Sequence, residues 1–178
     1  MPHHWGFTVD TRERHIRFFK LLLDSDDADW YGSNQALDAA RQLLILAKTP
    51  EDAAADYLQL LWKYTKNDIG KALRDDEVNK HNLKVVMTVP TIWSQAVHEK
   101  IVEIARNAGL PGNISLVSEL EAAALAVLRN RSTDGEPLGC GDCFVVCDAG
   151  SATVDLISYE IKAPSPLKLE ECTIGESL

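Results

Sequence analysis

Two aspartates near the C-terminal end of the chain have the spacing of a metal-binding hairpin. Asp148 and Asp155 flank the short segment Ala-Gly-Ser-Ala-Thr-Val. A strand that ends in an acid, turns through small residues and returns with Thr153 brings both carboxylates beside the turn, where backbone N–H groups can bind phosphate. Mg²⁺ suits such a pair because it prefers oxygen ligands and keeps several waters.

The segment therefore predicts a phosphate-and-metal loop, and the competing interpretation is an ordinary hairpin turn. In the first interpretation Asp148 and Asp155 hold the metal. The residues expected to bind the phosphates of a nucleotide are Asp148, Gly150, Ser151, Ala152 and Thr153.

The cysteines offer a second kind of chemistry. They stand at positions 140, 143, 147 and 172, and Cys140-Gly-Asp-Cys143 has the spacing of a redox pair or of half a zinc site. The run from Cys143 to Cys147 has the composition of a strand, in which free cysteine behaves as a small apolar core residue. We therefore expect these thiols to be structural. A redox protein is the alternative, and the sequence does not reveal the second half of a zinc site.

The first 82 residues are expected to be mainly helical. Residues 1–32 open with Trp5-Gly-Phe and continue into the apolar stretch Ile16–Leu23, and they predict a strand fragment followed by a buried connector. A helix is predicted at 33–48, with one stripe of apolar residues on its buried face: Leu37, Ala40, Leu44 and Ala47. Thr49-Pro-Glu-Asp52 predicts the start of a second helix that packs against the first. Its buried stripe is expected to be Ala54, Tyr57, Leu61 and Tyr64.

Strands and helices alternate further along the chain. A buried strand at 83–89 ends at Pro90, and a helix follows that ends at Gly109. This helix carries one apolar stripe: Trp93, Val97, Ile101, Ile104 and Ala108. A strand at 114–117, a helix at 119–128 and three antiparallel strands at 143–147, 153–161 and 167–174 complete the prediction. The fold class is therefore α/β, with strand-helix units and a C-terminal antiparallel hairpin.

Charge and composition narrow the range of partners. The chain has 178 residues and a net charge of −9, which repels nucleic-acid backbones and anionic membrane surfaces. The sequence contains neither an apolar run long enough to cross a bilayer nor a secretion signal at Met1. We therefore expect a cytosolic protein.

Four segments in order resemble the nucleotide-binding domain of the heat-shock protein 70 family. They are Thr88-Val-Pro-Thr-Ile-Trp-Ser94, Ala108-Gly-Leu110, Val117-Ser-Glu-Leu-Glu-Ala-Ala-Ala124 and Val145-Val-Cys-Asp-Ala-Gly-Ser-Ala-Thr-Val-Asp155. They look closest to a divergent fungal and animal branch, whose members have Val-Pro-x-x-Trp, Ser-Glu-Pro-Glu-Ala-Ala-Ala and Asp-Ala-Gly-Gly-Gly-Thr-Val-Asp-Leu. The resemblance is strongest from about residue 83 to 161.

The resemblance implies an actin-like ATPase fold, built from ribonuclease H-like lobes that close on ATP and Mg²⁺. It assigns Asp148 and Asp155 to the metal and Thr153 to the phosphates. Glu119 would orient the attacking water, Pro90 would couple nucleotide state to the rest of a chaperone, and Lys20 is the candidate catalytic lysine. The implied organisation is a mainly helical part of lobe one at 1–82, a strand-helix-strand-helix part at 83–139, and the start of lobe two at 140–178.

The chain also departs from the family pattern. Ser151 and Ala152 replace two glycines, and a Cβ at those positions crowds an approaching phosphate. Leu120 replaces a proline beside Glu119. The first phosphate hairpin and the adenosine-binding lobe have no counterpart, so we expect weak or absent ATP hydrolysis. Two hypotheses follow. The first is a fragment that binds ATP and Mg²⁺ weakly. The second is a non-catalytic remnant, either a truncated gene product or an interaction module that binds another protein through its open sheet edge and helical hairpin.

Overall fold

The computed structural model describes residues 4–10, 12–13, 15–24, 33–72, 82–131, 139–150, 154–173 and 176–177. The chain divides into two compact units. Unit 1 comprises Met1–Val85 and Ser94–Ser115, and unit 2 comprises Val86–Trp93 and Leu116–Leu178. Helices and strands are both present, which confirms the coarse prediction of an α/β protein.

Among its described residues, unit 1 contains three helices. They are α1 at Asn34–Ile45, α2 at Pro50–Ala72 and α3 at Gln95–Asn107. The N-caps of α1 and α3 are serines, because Ser33 Oγ accepts a hydrogen bond from Ala36 N and Ser94 Oγ accepts one from Val97 N. Two 3₁₀ turns, Gly6–Thr8 and Phe19–Leu22, precede the helices. The first turn lies where a strand fragment was predicted, so that prediction was wrong.

The predicted connector is buried at its end, at Leu21–Leu23, whereas Arg17 and Lys20 are exposed. Leu21 and Leu22 form a core cluster with residues of α1 and α2: Ala36, Ala39, Leu43 and Ala53. The stripe predicted for α1 was wrong, since Leu37 is 44% exposed and Leu44 is 81% exposed. The face that packs on the connector is rotated by one residue. It carries two alanines, which let the helix approach closely.

The stripe predicted for α2 is only partly buried. Ala54 is buried, whereas Tyr57, Leu61 and Tyr64 are exposed. The tyrosines contact Trp5 instead, with ring centroids 6.1 and 5.8 Å apart in edge-to-face geometry. The helix is therefore buried in its first turn, and further along it presents Tyr57 and Tyr64 for contact with Trp5.

The stripe predicted along α3 is confirmed. Trp93, Val97, Ile101, Ile104 and Ala108 are all buried. Beyond the helix Gly109 adopts a positive φ of 82°, a conformation that glycine reaches without strain. The predicted end of the helix is therefore also confirmed.

A lysine of α3 ties together the elements of unit 1. Lys100 Nζ donates to the backbone carbonyl of Leu23 over 3.2 Å and lies 3.3 Å from Glu51 Oε1 of α2. One side chain thus links α3 to both the connector and α2.

The strands β1 at Val85–Val89 and β2 at Ile114–Ser118 form a two-stranded sheet, and α4 follows at Glu119–Arg131. Both strands were predicted. β1 was predicted to be buried, but it is buried only in part. Exposed and less exposed residues alternate along the strand, and Val86 is 56% exposed.

The described residues of unit 2 also form a four-stranded antiparallel sheet. Its strands are β3 at Cys143–Ala149, β4 at Val154–Pro164, β5 at Leu167–Glu171 and β6 at Glu176–Ser177. β4 pairs with all three of the others. The predicted meander is confirmed, and β6 adds a short strand to it.

The two faces of this sheet differ in burial. One face packs under Leu120 and Ala124 of α4 and presents five apolar residues: Phe144, Val146, Ile157, Tyr159 and Leu169. The other face carries Cys143 and Cys147. All four cysteines, these two together with Cys140 and Cys172, are exposed. The prediction that cysteines fill the core was wrong. β3 is apolar at almost every position, and its pairing with β4 turns Phe144 and Val146 inward.

Among the helices of the described ranges, none combines the length and the apolar character that a bilayer crossing requires.

Candidate functional site

The hairpin of β3 and β4 sets the two candidate metal ligands directly opposite each other. The register pairs Asp148 with Asp155, and the next pair towards the turn is Ala149 with Val154. Residues directly opposite in an antiparallel pair have Cβ atoms about 4.5–5.5 Å apart and project from the same face. The two carboxylates therefore form a pair at the turn end of the sheet.

Strand alternation assigns this pair to the face that α4 covers. Asp148 continues the row of Phe144 and Val146, and Asp155 continues the row of Ile157 and Tyr159. Asp148 is exposed and Asp155 is half-buried. The pair thus lies on the same face as the apolar residues under α4, and Asp148 is accessible to solvent.

Glu119 is the first residue of α4 and is half-buried. The residue before it, Ser118, accepts a hydrogen bond from the N–H of Glu121 over 3.4 Å and so caps the helix. Ser118 Oγ also shares a hydrogen bond of 2.6 Å with Thr91 Oγ1. Thr91 follows Pro90, which is buried at the end of β1. Two hydroxyls thereby join the ends of β1 and β2.

Tyr159 lies close to this helix start. Its hydroxyl is buried and has no well-formed hydrogen-bond partner within the described ranges. Burial raises the pKa of Tyr159. The negative charges of Glu171 and Glu121 raise this pKa further, and the nearby Ser118 hydroxyl offsets part of the increase. Ser118 is therefore beside Tyr159. Tyr159 is four residues after Asp155 on β4, a separation of about 13 Å at ordinary strand rise. The helix start and the aspartate pair are separate polar groups of unit 2.

The remaining predicted site residues fall in different places. Gly150 is exposed just beyond β3. Lys20 is exposed in the second 3₁₀ turn, which belongs to unit 1. Ser151, Ala152 and Thr153 lie outside the described residues.

The hydroxyl pair of Thr91 and Ser118 was not identified from the sequence. A signal was available, because each residue stands at or just beyond the carboxyl end of a strand, where α/β sheets commonly bind ligands. Serine and threonine are too common for that signal to select them without the pairing of the strands.

Comparison of the chain with models of protein families gives no match, and a search of curated proteins finds no significant relative. The likeness to the heat-shock protein 70 family therefore rests on the sequence segments quoted above.

Proposed function

We propose that the hairpin of Asp148 and Asp155 binds Mg²⁺ together with the phosphates of ATP. In this proposal the chain is part of a chaperone-type nucleotide-binding domain, similar to the heat-shock protein 70 family, with an actin-like ATPase fold and a cytosolic location. The single observation that carries it is the register that sets the two aspartates opposite each other.

Electrostatics support a cation at this position. Like charges directly opposite on a sheet destabilise it, and an ion between them converts that repulsion into attraction. Two carboxylates are enough for Mg²⁺, because this ion completes its shell with water and with phosphate oxygens. The exposure of Asp148 leaves its carboxylate accessible to a ligand.

The other residues have subordinate roles in the proposal. Gly150 and the residues at 151–153 would offer backbone N–H groups to the phosphates, with a hydroxyl from Thr153. Glu119 and Lys20 remain predictions from the resemblance alone, and the proposal does not depend on them. We propose slow hydrolysis or none, because Ser151 and Ala152 bring Cβ atoms where the similar family has glycine.

Isothermal titration of the full chain with Mg-ATP tests the proposal. The wild type should release or absorb heat at a single site, and Asp148→Asn should weaken binding by at least tenfold, about 1.4 kcal/mol. Asp38→Asn is the matched control, since Asp38 is an exposed aspartate of α1 in unit 1 and should leave the affinity unchanged. Removal of Mg²⁺ with a chelator should reproduce the loss seen with Asp148→Asn.

Equal affinity in Asp148→Asn and wild type would overturn the proposal, and so would binding that ignores Mg²⁺. If the wild type gives no heat, the alternative is a non-catalytic interaction module. The observation that favours this alternative is the exposure of three consecutive apolar residues at the end of α1, where Leu44, Ile45 and Leu46 are 81%, 61% and 54% exposed.

A further inference from the structure

Three potential metal ligands meet on the exposed face of the four-stranded sheet. The thiol sulfurs of Cys143 and Cys172 and a carboxylate oxygen of Glu160 all lie within 4.8 Å of one another. Cys143 stands opposite Glu160 in the register of β3 and β4. Cys172 approaches from the other side of β4, where its N–H donates to the carbonyl of Ser158 over 2.8 Å. The group thus draws one residue from each of three neighbouring chain segments.

The backbone geometry favours an ion between the thiols over a disulfide bond. Cys143 is paired with Glu160 on one side of β4 and Cys172 lies beside Ser158 on the other, so two ideal strand spacings, about 9.5 Å, separate the chain segments that carry them. Disulfides rarely join Cα atoms more than about 7 Å apart. A tetrahedral zinc ion with Zn–S bonds of about 2.3 Å holds its two sulfurs about 3.8 Å apart. An ion would therefore span a gap that a direct bond would close only by moving a strand.

We propose that Cys143, Cys172 and Glu160 bind one Zn²⁺, with water as the fourth ligand. Binding would displace the two thiol protons to solvent and form two thiolate–zinc bonds and one carboxylate–zinc bond. The ion would link β3, β4 and the end of β5. The proposal does not depend on nucleotide binding, because Asp148 and Asp155 project from the opposite face of the sheet.

The surroundings of Glu160 suit this role. Lys162 Nζ lies 2.8 Å from Glu160 Oε2 and 2.8 Å from Glu170 Oε2. The ion pair with Lys162 orients the Glu160 carboxylate, as residues around the ligands commonly do in metal sites. Two thiolates, one carboxylate and Zn²⁺ together carry one negative charge. The ammonium group of Lys162 compensates that charge.

The pairing differs from the one that the sequence spacing indicates. Cys140 Sγ donates to the carbonyl of Lys162 over 3.3 Å and does not belong to the group. Cys147 lies on the same strand and face as Cys143 and is also outside it. Both residues therefore serve as matched controls.

Titration of the reduced full chain with Co²⁺, a spectroscopic substitute for Zn²⁺, tests the site. The wild type should develop thiolate-to-cobalt charge-transfer absorption that saturates at one equivalent and disappears when Zn²⁺ is added. Cys143→Ser and Cys172→Ser should each weaken binding at least tenfold, and Glu160→Gln should weaken it less. Cys140→Ser and Cys147→Ser should bind as the wild type does. Absence of the absorption in the wild type, or its loss in either control, would overturn the proposal.

A second measurement needs no variant. The wild type is treated with an alkylating reagent with and without Zn²⁺, and the modified cysteines are located by mass spectrometry. Zn²⁺ should slow modification of Cys143 and Cys172 at least tenfold and leave Cys140 and Cys147 unaffected. Uniform protection of all four thiols, no protection, or a disulfide between Cys143 and Cys172 in the untreated chain would contradict the site.

Discussion

Thr49 and Asp52 hold the first turn of α2 by reciprocal hydrogen bonds. The N–H of Thr49 donates to Asp52 Oδ2 over 2.9 Å, and the N–H of Asp52 donates to Thr49 Oγ1 over 3.1 Å. These bonds satisfy two donors that a helix start leaves unpaired. The backbone bond from Thr49, followed by its side-chain bond, lowers the pKa of Asp52. The sequence predicted the Thr49 hydroxyl cap, because that cap is local to one turn, but it did not predict the reciprocal bond to Asp52.

The lowered pKa makes the contribution of Asp52 to stability dependent on pH. The ionised carboxylate stabilises the folded state fully above the pKa of the unfolded chain, about 3.9, and this contribution is lost as pH falls through the lower folded value. Asp52→Asn should therefore destabilise the protein at pH 7, and its difference from the wild type should shrink towards pH 3. Urea unfolding at the two pH values measures the effect. A difference that stays constant or grows in acid would contradict it, and Asp38→Asn controls for the loss of a charge.

At the scale of elements, the face that α1 buries is the clearest departure from the sequence prediction. Two stripes with the same helical spacing compete, one through Leu44 and one through Leu43. Periodicity cannot choose between them because both recur at the same interval. The choice is made by Ala36 and Ala39, whose small side chains pack against Leu21 and Leu22. That partner is remote in sequence, so the local pattern does not contain it.

These two adjacent leucines give a matched test of the packing of α1. Leu43 is 3% exposed and Leu44 is 81% exposed. Leu43→Ala should cost about 2–5 kcal/mol of unfolding free energy, the range for a buried leucine. Leu44→Ala should change stability by less than about 0.5 kcal/mol. Denaturant unfolding of the two variants measures these changes in stability. A larger loss in Leu44→Ala than in Leu43→Ala would indicate that α1 buries the face through Leu44.

At the scale of the whole molecule, the two candidate sites differ in how much the sequence reveals. The aspartate pair could be predicted because one hairpin, local in sequence, brings Asp148 and Asp155 together. The thiol group could not, because it requires Cys172 to reach Cys143 across an intervening strand. The sequence instead pointed to Cys140, which lies closer along the chain and outside the group.

The net charge of −9 leaves several places where a hard cation could bind, among them the acidic run at 24–29. A test of the central proposal must therefore locate the ion as well as detect it. Mn²⁺ can substitute for Mg²⁺ at oxygen ligands, and its unpaired electrons broaden the nuclear magnetic resonance signals of nearby amides.

Addition of Mn²⁺ and ATP at low stoichiometry to the isotope-labelled full chain tests the account most directly. We predict selective broadening of the amide signals of Asp148, Ala149, Val154 and Asp155, and its loss in Asp148→Asn. Broadening centred on residues 24–29, with the hairpin signals unchanged, or the same hairpin broadening in Asp148→Asn, would contradict the proposal that the aspartate pair holds the metal.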